Sequence, residues 1–179
     1  MGTLPFIGIA LGTLILANGV VGCDSLFRAQ KALTARKTTY TGSQASSSAS
    51  FTTLERSIYE QINQYRQSRN LPPLTLDSRI TEQARLHSQA MASGQVPFSH
   101  QGFEQRVGAI SRVIPYRKAS ENVAYNQGYR EPDREAVQGW LKSTGHRTNI
   151  EGQYDLTGIG IAKNVKEEYY FTQIFVRRR

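Results

Sequence analysis

Imidazole is the side chain best suited to proton transfer and metal ligation near neutral pH. This chain has three, His87, His100 and His146. They lie far apart, with no H-x-x-x-H pairing to set two of them on one helix face. His87 shares an apolar helical face with Ile80, Ala84 and Met91 and reads as a core or boundary histidine with one nitrogen satisfied. His100 closes "VPFSH" (96–100), a loop after that helix, and His146 sits in "STGHR". The sole cysteine, Cys23, directly follows an N-terminal apolar run. That excludes a disulfide framework within one chain, a multi-cysteine metal site and a cysteine nucleophile in the folded part. No G-x-S-x-G elbow, H-E-x-x-H pair or phosphate-binding glycine loop occurs. Any chemistry therefore depends on a fold that gathers distant side chains.

The elements that would do so are readable from periodicity. Leu54, Ile58, Ile62 and Tyr65 fall at helical spacing over 53–70, and "LPPL" ends that helix. "LDSRITEQARLHSQAMASG" predicts a second helix, capped by Asp77 and stopped at Gly94. "FEQRVGAI" reads as a short helical turn, and "SENVAYN" (120–126) as a loop leading into a short strand. "EPDREAVQGWLKSTG" is a third helix, with Pro132 in its first turn and Val137, Trp140 and Leu141 on its buried side. "LTGIGIAK" (156–163) alternates Leu156, Gly158 and Gly160 against Ile159 and Ile161, and "YYFTQIFV" (169–176) is apolar on both faces. "NVKEE" between them is a hairpin loop. A strand apolar on both faces is covered on both sides, which predicts a sheet between helical layers.

The N-terminal part is of another kind. "LPFIGIALGTLILANGVV" (4–21) carries no charge and is long enough to cross ~30 Å of hydrocarbon as a helix; it also fits the apolar region of a secretory signal. Residues 1–22 thus read as a signal or lipoprotein leader, or as a membrane anchor. Val20-Val21-Gly22-Cys23 resembles the lipobox of bacterial lipoproteins, which implies lipidation at Cys23; the alternative is a buried or unpaired thiol. Residues 23–52 read as a flexible tether, basic at first (Arg28, Lys31, Arg36, Lys37) and then Ser/Thr-rich. Its charges either face anionic headgroups or only keep a solvated linker soluble. Residues 53–179 remain for one domain with one core. The chain has 22 Lys+Arg against 14 Asp+Glu, net +8, but the excess sits mostly in the tether and the terminal Arg177, Arg178 and Arg179. No basic stripe is interleaved with aromatics, so nucleic acid is not the expected partner.

Six segments in order carry a resemblance: "NQYRQSRNLPPLTLD", "ARLHSQAMASGQVPFSH", "FEQRV", "ENVAYN", "WLKSTGHRTNI" and "LTGIGIA". Together they resemble the bacterial branch of the CAP superfamily, the SCP-like extracellular domains, over residues 54–176. The resemblance implies an α+β fold, a three-layer α-β-α sandwich with a central, mainly antiparallel sheet. It also implies a cleft where two histidines and two acids meet and, in some members, hold a divalent metal. By motif, His100 takes the first histidine role, Glu121 of "ENVA" an acid role, and His146 the histidine of the bacterial branch. The second acid has no match; Asp155 falls near the place of the eukaryotic second histidine and is a fourth candidate. The resemblance thus implies a binding cleft of His100, Glu121, His146 and Asp155, with His100, Glu121 and His146 as metal ligands. Two neutral imidazoles and a carboxylate suit Zn²⁺ with a position open for water.

Each residue also has a plainer role. His100 can fix the turn after Pro97, and Glu121 can accept backbone N–H bonds or pair with an arginine. His146 can pack at a helix end where the dipole favours its cation. Arg106 and Arg147 are expected to brace loops through carboxylates or carbonyls, and Trp140 to be core. The expected protein is a membrane-tethered, extracytoplasmic, non-catalytic binding module for a peptide, envelope component or lipid. The alternatives are a metal-dependent peptidase or esterase at the same cleft, and a structural module whose cleft residues only brace loops.

Overall fold

The structure, a computed structural model, describes residues 51–179. The leader, Cys23 and the tether up to residue 50 lie outside the described residues. Helix α1 covers residues 51–68, with Ile58 and Ile62 fully buried. The two-residue strand β1 (Thr75–Leu76) leads into α2 (Ser78–Ala92), whose N-cap Asp77 accepts a bond from the Arg79 N–H. After α2 the chain turns at Gly94 with φ +75°, a left-handed conformation that glycine adopts without a Cβ penalty. Then come α3 (Phe103–Ser111), β2 (Tyr116–Gln127), α4 (Pro132–Lys142), α5 (Thr144–Glu151), β3 (Leu156–Lys163) and β4 (Glu168–Arg178).

The sheet order is β1-β3-β4-β2. β1 runs parallel to β3, and the other pairs are antiparallel. Side-chain alternation sends Ile159, Ile161, Phe171 and Phe175 to one face, where they pack with Ile58 and Ile62 of α1, Val137 and Trp140 of α4 and Ile150 of α5. Leu156, Ile174 and Val176 face the other way, onto Ile80 and Ala84 of α2 and Ile110 of α3. The two apolar clusters make the molecule an α+β three-layer sandwich. The glycines of β3 explain how closely α2 can lie: a Cβ at Gly158 would stand 2.2 Å from the Thr81 nitrogen, and one at Gly160 2.1 Å from the Arg85 nitrogen. Helix backbone therefore rests on strand backbone. Ser88 Oγ lies 2.9 Å from both the Gly160 carbonyl oxygen and Thr172 Oγ1, which ties the helix to two strands of the sheet.

Two readings of the sequence are corrected. "SENVAYN" is no loop but the middle of the twelve-residue strand β2, paired with β4 from Tyr116↔Arg178 to Gln127↔Glu168. Its polar residues suggested a loop, yet Glu121, Asn122 and Asn126 are buried with partners from other segments; Asn126 Nδ2, for example, donates to the Pro132 carbonyl at 2.7 Å. The third helix ends close to where the sequence placed its end, and a further helix that the sequence did not predict follows it. Ser143 (φ −86°, ψ 122°) ends α4 and begins α5. Among the described residues no helix is long and apolar enough to cross a membrane.

Candidate functional site

β2 is an edge strand, and consecutive residues on it face opposite layers. Glu121 pairs in register with Ile174 and so points toward α3, while Asn122 pairs with Gln173 and points toward α5. The Glu121 side chain is only 2% exposed. Arg106 of α3 meets it with a fork: Nε donates to Oε2 at 2.9 Å and Nη2 to Oε1 at 2.8 Å. The same guanidinium donates from Nη1 to the Gln101 carbonyl at 2.9 Å. A planar fork is the geometry that binds a carboxylate most firmly in a dry site.

His100 completes this group. Its Nδ1 lies 3.0 Å from Glu121 Oε1, so the proton is on Nδ1 and Nε2 faces outward on a ring that is 52% exposed. The loop that carries it is tied from behind. His87 is buried, and its Nε2 donates to the Ser99 carbonyl at 2.8 Å. Burial lowers the pKa of His87 and keeps the ring neutral, which leaves the proton on the nitrogen that serves Ser99. His87 thus positions His100 from the adjoining residue.

His146 comes from the other layer. It stands in the first turn of α5, not at the end of a helix as the sequence suggested, because the chain restarts at Ser143. A helix N-terminus disfavours a cation. Its pKa is lowered by burial first and then by the nearby charge of His100. Its backbone is held to the strand: Asn122 Nδ2 donates to the His146 carbonyl at 3.1 Å, and Asn149 Nδ2 donates to Asn122 Oδ1 at 2.9 Å. Arg147 donates to the Leu141 carbonyl at 3.0 Å and braces the junction of α4 and α5.

Asp155 stands apart from these three. Arg178 donates to it from its backbone N–H at 3.0 Å and from Nε at 2.6 Å, at the opposite edge of β4 from Glu121. Burial acts to raise the Asp155 pKa, and the Arg178 bonds outweigh it and hold it below the usual carboxylate value.

A divalent cation would need free electron pairs on these groups. Both Glu121 oxygens face the Arg106 guanidinium, and His100 Nδ1 is committed to the same carboxylate. Among the described residues no group of three or more His, Cys, Asp or Glu side chains is arranged to hold a metal ion. As arranged, His100 Nε2 and the His146 ring are the nitrogens open to a ligand.

Beside His146 lies a groove of about 610 Å³ between the edge of β2, α4 and the "VPFSH" loop. Phe98, Tyr125, Tyr129 and Trp140 line it, with Glu135 and Asn126 toward the start of α4 and Gly139 and Ser143 along its length. Trp140 is both core and groove floor; its Nε1 donates to the Val123 carbonyl at 2.9 Å. Phe98 and Tyr125 meet with ring centroids 6.2 Å apart, and Tyr125 and Tyr170 at 5.3 Å. Large aromatics left half exposed on a concave surface mark a binding site more often than scattered apolar residues do. Nothing in the sequence pattern singled out Phe98, Tyr125 and Tyr129. The available signal was local: Phe98 and Tyr125 sit inside two of the six segments that carried the resemblance.

Comparison with known proteins accords with this architecture. The profile described as "CAP: Cysteine-rich secretory protein family" matches residues 59–175. Uncharacterized protein YkwD of Bacillus subtilis (strain 168) is 34% identical over 149 residues, covering 80% of this chain and 53% of its own length. Uncharacterized membrane protein YlbC of the same organism is 32% identical over 133 residues, 71% of this chain and 35% of its own. The chain thus spans about half or less of these curated relatives. An extracellular protein containing a SCP domain from Bacillus anthracis superposes with a TM-score of 0.61 at 29% identity, over 72% of this chain and 41% of that one. An outer surface protein from Borrelia burgdorferi shares the fold, with a TM-score of 0.61 at 18% identity over 70% of this chain and 93% of that one.

Proposed function

Since the chain belongs to the CAP, or cysteine-rich secretory protein, family, we propose that it is an extracytoplasmic binding module without catalytic activity, tethered to the membrane by its N-terminal segment. The observation that carries this reading is the contrast between two neighbouring sites. Glu121, the acid expected to meet the histidines, is closed by a buried arginine fork, whereas the aromatic groove beside His146 is open. A base or nucleophile needs a lone pair that substrate can reach, and Glu121 is 2% exposed with Arg106 across both its oxygens. The bracing network serves the groove. His87 and Arg106 hold residues 99–101, and so place Phe98 on the groove wall. The extracellular and membrane descriptions belong to the B. anthracis and YlbC proteins; they support the same side of the membrane for this chain, with residues 1–22 or a lipid on Cys23 as the anchor. The ligand is a peptide, an envelope component or a lipid.

A metal-dependent hydrolase at His100, Glu121 and His146 is the competing reading, and it requires Glu121 to leave Arg106. Metal analysis and assay of the full chain decide between them. The binding-module reading expects less than stoichiometric Zn²⁺, and no turnover of a peptide and ester library that His100→Ala and His146→Ala abolish. Stoichiometric Zn²⁺ lost in both variants, with turnover lost alongside it, would establish the hydrolase instead. Acyl labelling that survives Cys23→Ser would refute the lipid anchor.

A further inference from the structure

The apolar side chains left on the surface are not spread evenly. Among the described residues six large ones are exposed, and four of them, Phe98, Tyr125, Tyr129 and Val165, lie at the end of the sheet where the β3–β4 hairpin turns. Val165 is in that turn. Gln127, the last residue of β2, donates from Nε2 to the Lys166 carbonyl at 2.7 Å, and Tyr129 follows two residues later. Tyr125 Oη donates to Glu168 Oε1 at 3.1 Å, and Phe98 meets the Tyr125 ring. Single exposed apolar residues are ordinary, whereas a group of them at one end marks a contact surface.

Val165 is the plainest case. It is 99% exposed, at the tip of a turn that is fully bonded. Asn164 Oδ1 accepts from the Lys166 and Glu168 N–H groups at 2.9 and 3.1 Å, and Glu167 takes φ +64° to close the turn. The turn thus holds a branched hydrocarbon out in water, at a position where a polar residue would serve the turn as well. The charge around it selects no ionic partner. Arg130, Arg134, Lys163 and Lys166 stand among Glu131, Glu135, Glu167 and Glu168, with Arg134 paired to Glu131 and Lys163 to Glu167. A denser set of cations, Arg112, Arg117, Lys118, Arg177 and Arg179, lies at the other end of the sheet, none of them in an ion pair among the described residues; Asp77 and Asp155 nearby are paired with Arg79 and Arg178.

The course of the chain indicates the partner. α1 begins at the hairpin end: Phe51 and Ile161 line one small cleft, two residues before the end of β3. The helix runs away from there, and Arg66 near its far end donates to the Ile150 and Gly152 carbonyls. Residues 24–50 separate Phe51 from Cys23, and a coil of that length spans roughly 30 Å. β4 alone is ~35 Å long, so the hairpin end is within that reach of an anchor and the basic end is beyond it on average.

We infer that the hairpin end of the domain docks on the lipid bilayer that anchors the chain. Val165 and the outward edges of Phe98 and Tyr129 enter the boundary between headgroups and acyl chains, and the balanced charges beside them stay in the headgroup water. The contact is weak by itself and is populated because a tether keeps the domain at a high effective concentration over the surface. Phe98 and Tyr129 also wall the groove, so docking turns the mouth of the groove toward lipid. This rests on the reading of the chain as membrane-tethered, and the test separates the two.

Tryptophans placed at the two ends report the contact: Val165→Trp at the hairpin and Val113→Trp at the basic end, both exposed positions. Trp140 is buried and gives a constant background. Each full-length variant is reconstituted into phosphatidylcholine vesicles with or without brominated phosphatidylcholine, and flotation reports attachment. The brominated lipid should quench the reporter at 165 about twofold or more and leave the one at 113 unchanged. The result should be the same in neutral vesicles, with phosphatidylglycerol added, and in about 0.5 M salt, which screens charge. Phe98→Ser with Tyr129→Ser in the Val165→Trp chain should lower the ratio of docked to free domain, read from the quenching, about fivefold or more. Quenching at 113 in place of 165, or quenching that needs phosphatidylglycerol, would overturn the inference in favour of the basic end. Quenching at 165 that the added serines leave unchanged would reflect nearness along the tether alone, and would overturn it too. A chain that floats with the reporter at 165 unquenched would overturn the docking and leave the tether standing. A chain that does not float would remove the tether and this inference with it.

Discussion

Replacing Arg106 by Met tests whether the site is held by its buried ion pair. The substitution keeps most of the apolar stem and removes the guanidinium. Glu121 then retains a carboxylate, 2% exposed, whose remaining side-chain partner is His100, a ring half in solvent. Two charge-assisted bonds of 2.9 and 2.8 Å are lost, together with the bond to the Gln101 carbonyl. Removing one member of a buried pair costs about 3–5 kcal/mol, chiefly because the other charge stays desolvated. At that size the unfolding temperature should fall by about 10–20 °C. Urea titration of the full chain at pH 7 should show a lower midpoint with an unchanged slope. Adding Glu121→Leu to Arg106→Met should recover most of the loss, because the stranded charge is gone. A loss below about 1 kcal/mol in the single variant would be the behaviour of an exposed ion pair, and would refute the buried fork and with it the argument that Glu121 is closed to chemistry.

Two further outcomes follow from the same contacts. Burial lowers the pKa of His87 in the folded state, so below about pH 6.5 the unfolded chain binds a proton that the folded chain refuses, and stability falls with pH. Unfolding temperatures at pH 7.5 and 5.5 should differ less in His87→Gln, whose amide can still donate toward Ser99; an equal difference would show that His87 does not titrate across folding. Gly160→Ala puts a Cβ 2.1 Å from the Arg85 nitrogen, a clash with helix backbone that should cost about 1–3 kcal/mol or more by denaturant titration. A cost under about 0.5 kcal/mol would mean that α2 does not rest on β3 as described.

What could be read in advance followed from how local each signal was. Ile58 and Ile62 repeat at helical spacing, Asp77 caps α2 from two residues away, and Pro132 opens α4 where its missing N–H is harmless. The alternation of Gly158 and Gly160 with Ile159 and Ile161 marked a strand with one face of small residues, and α2 occupies that face. β2 was misread because its polar residues find partners far along the chain, and side-chain satisfaction over such distances has no sequence period. The helix that starts after Ser143 was missed for a related reason: "KSTGHR" carries neither a proline nor a side-chain cap. That one helix moved His146 from the favourable to the unfavourable end of a helix dipole.

The same division runs through the site. The sequence by itself determined the number of imidazoles, the absence of any cysteine from the domain, the layered fold and the identity of the residues worth watching. Only the tertiary structure decided which atoms of those residues are free. Arg106 and Glu121 are fifteen residues apart, on a helix and a strand, and their fork exists only because α3 packs over the edge strand. The groove is likewise assembled from a loop, a strand edge and a helix. A lone pair is available or spent according to its neighbours within about 3 Å, and neighbours at that range are set by the packing of whole elements.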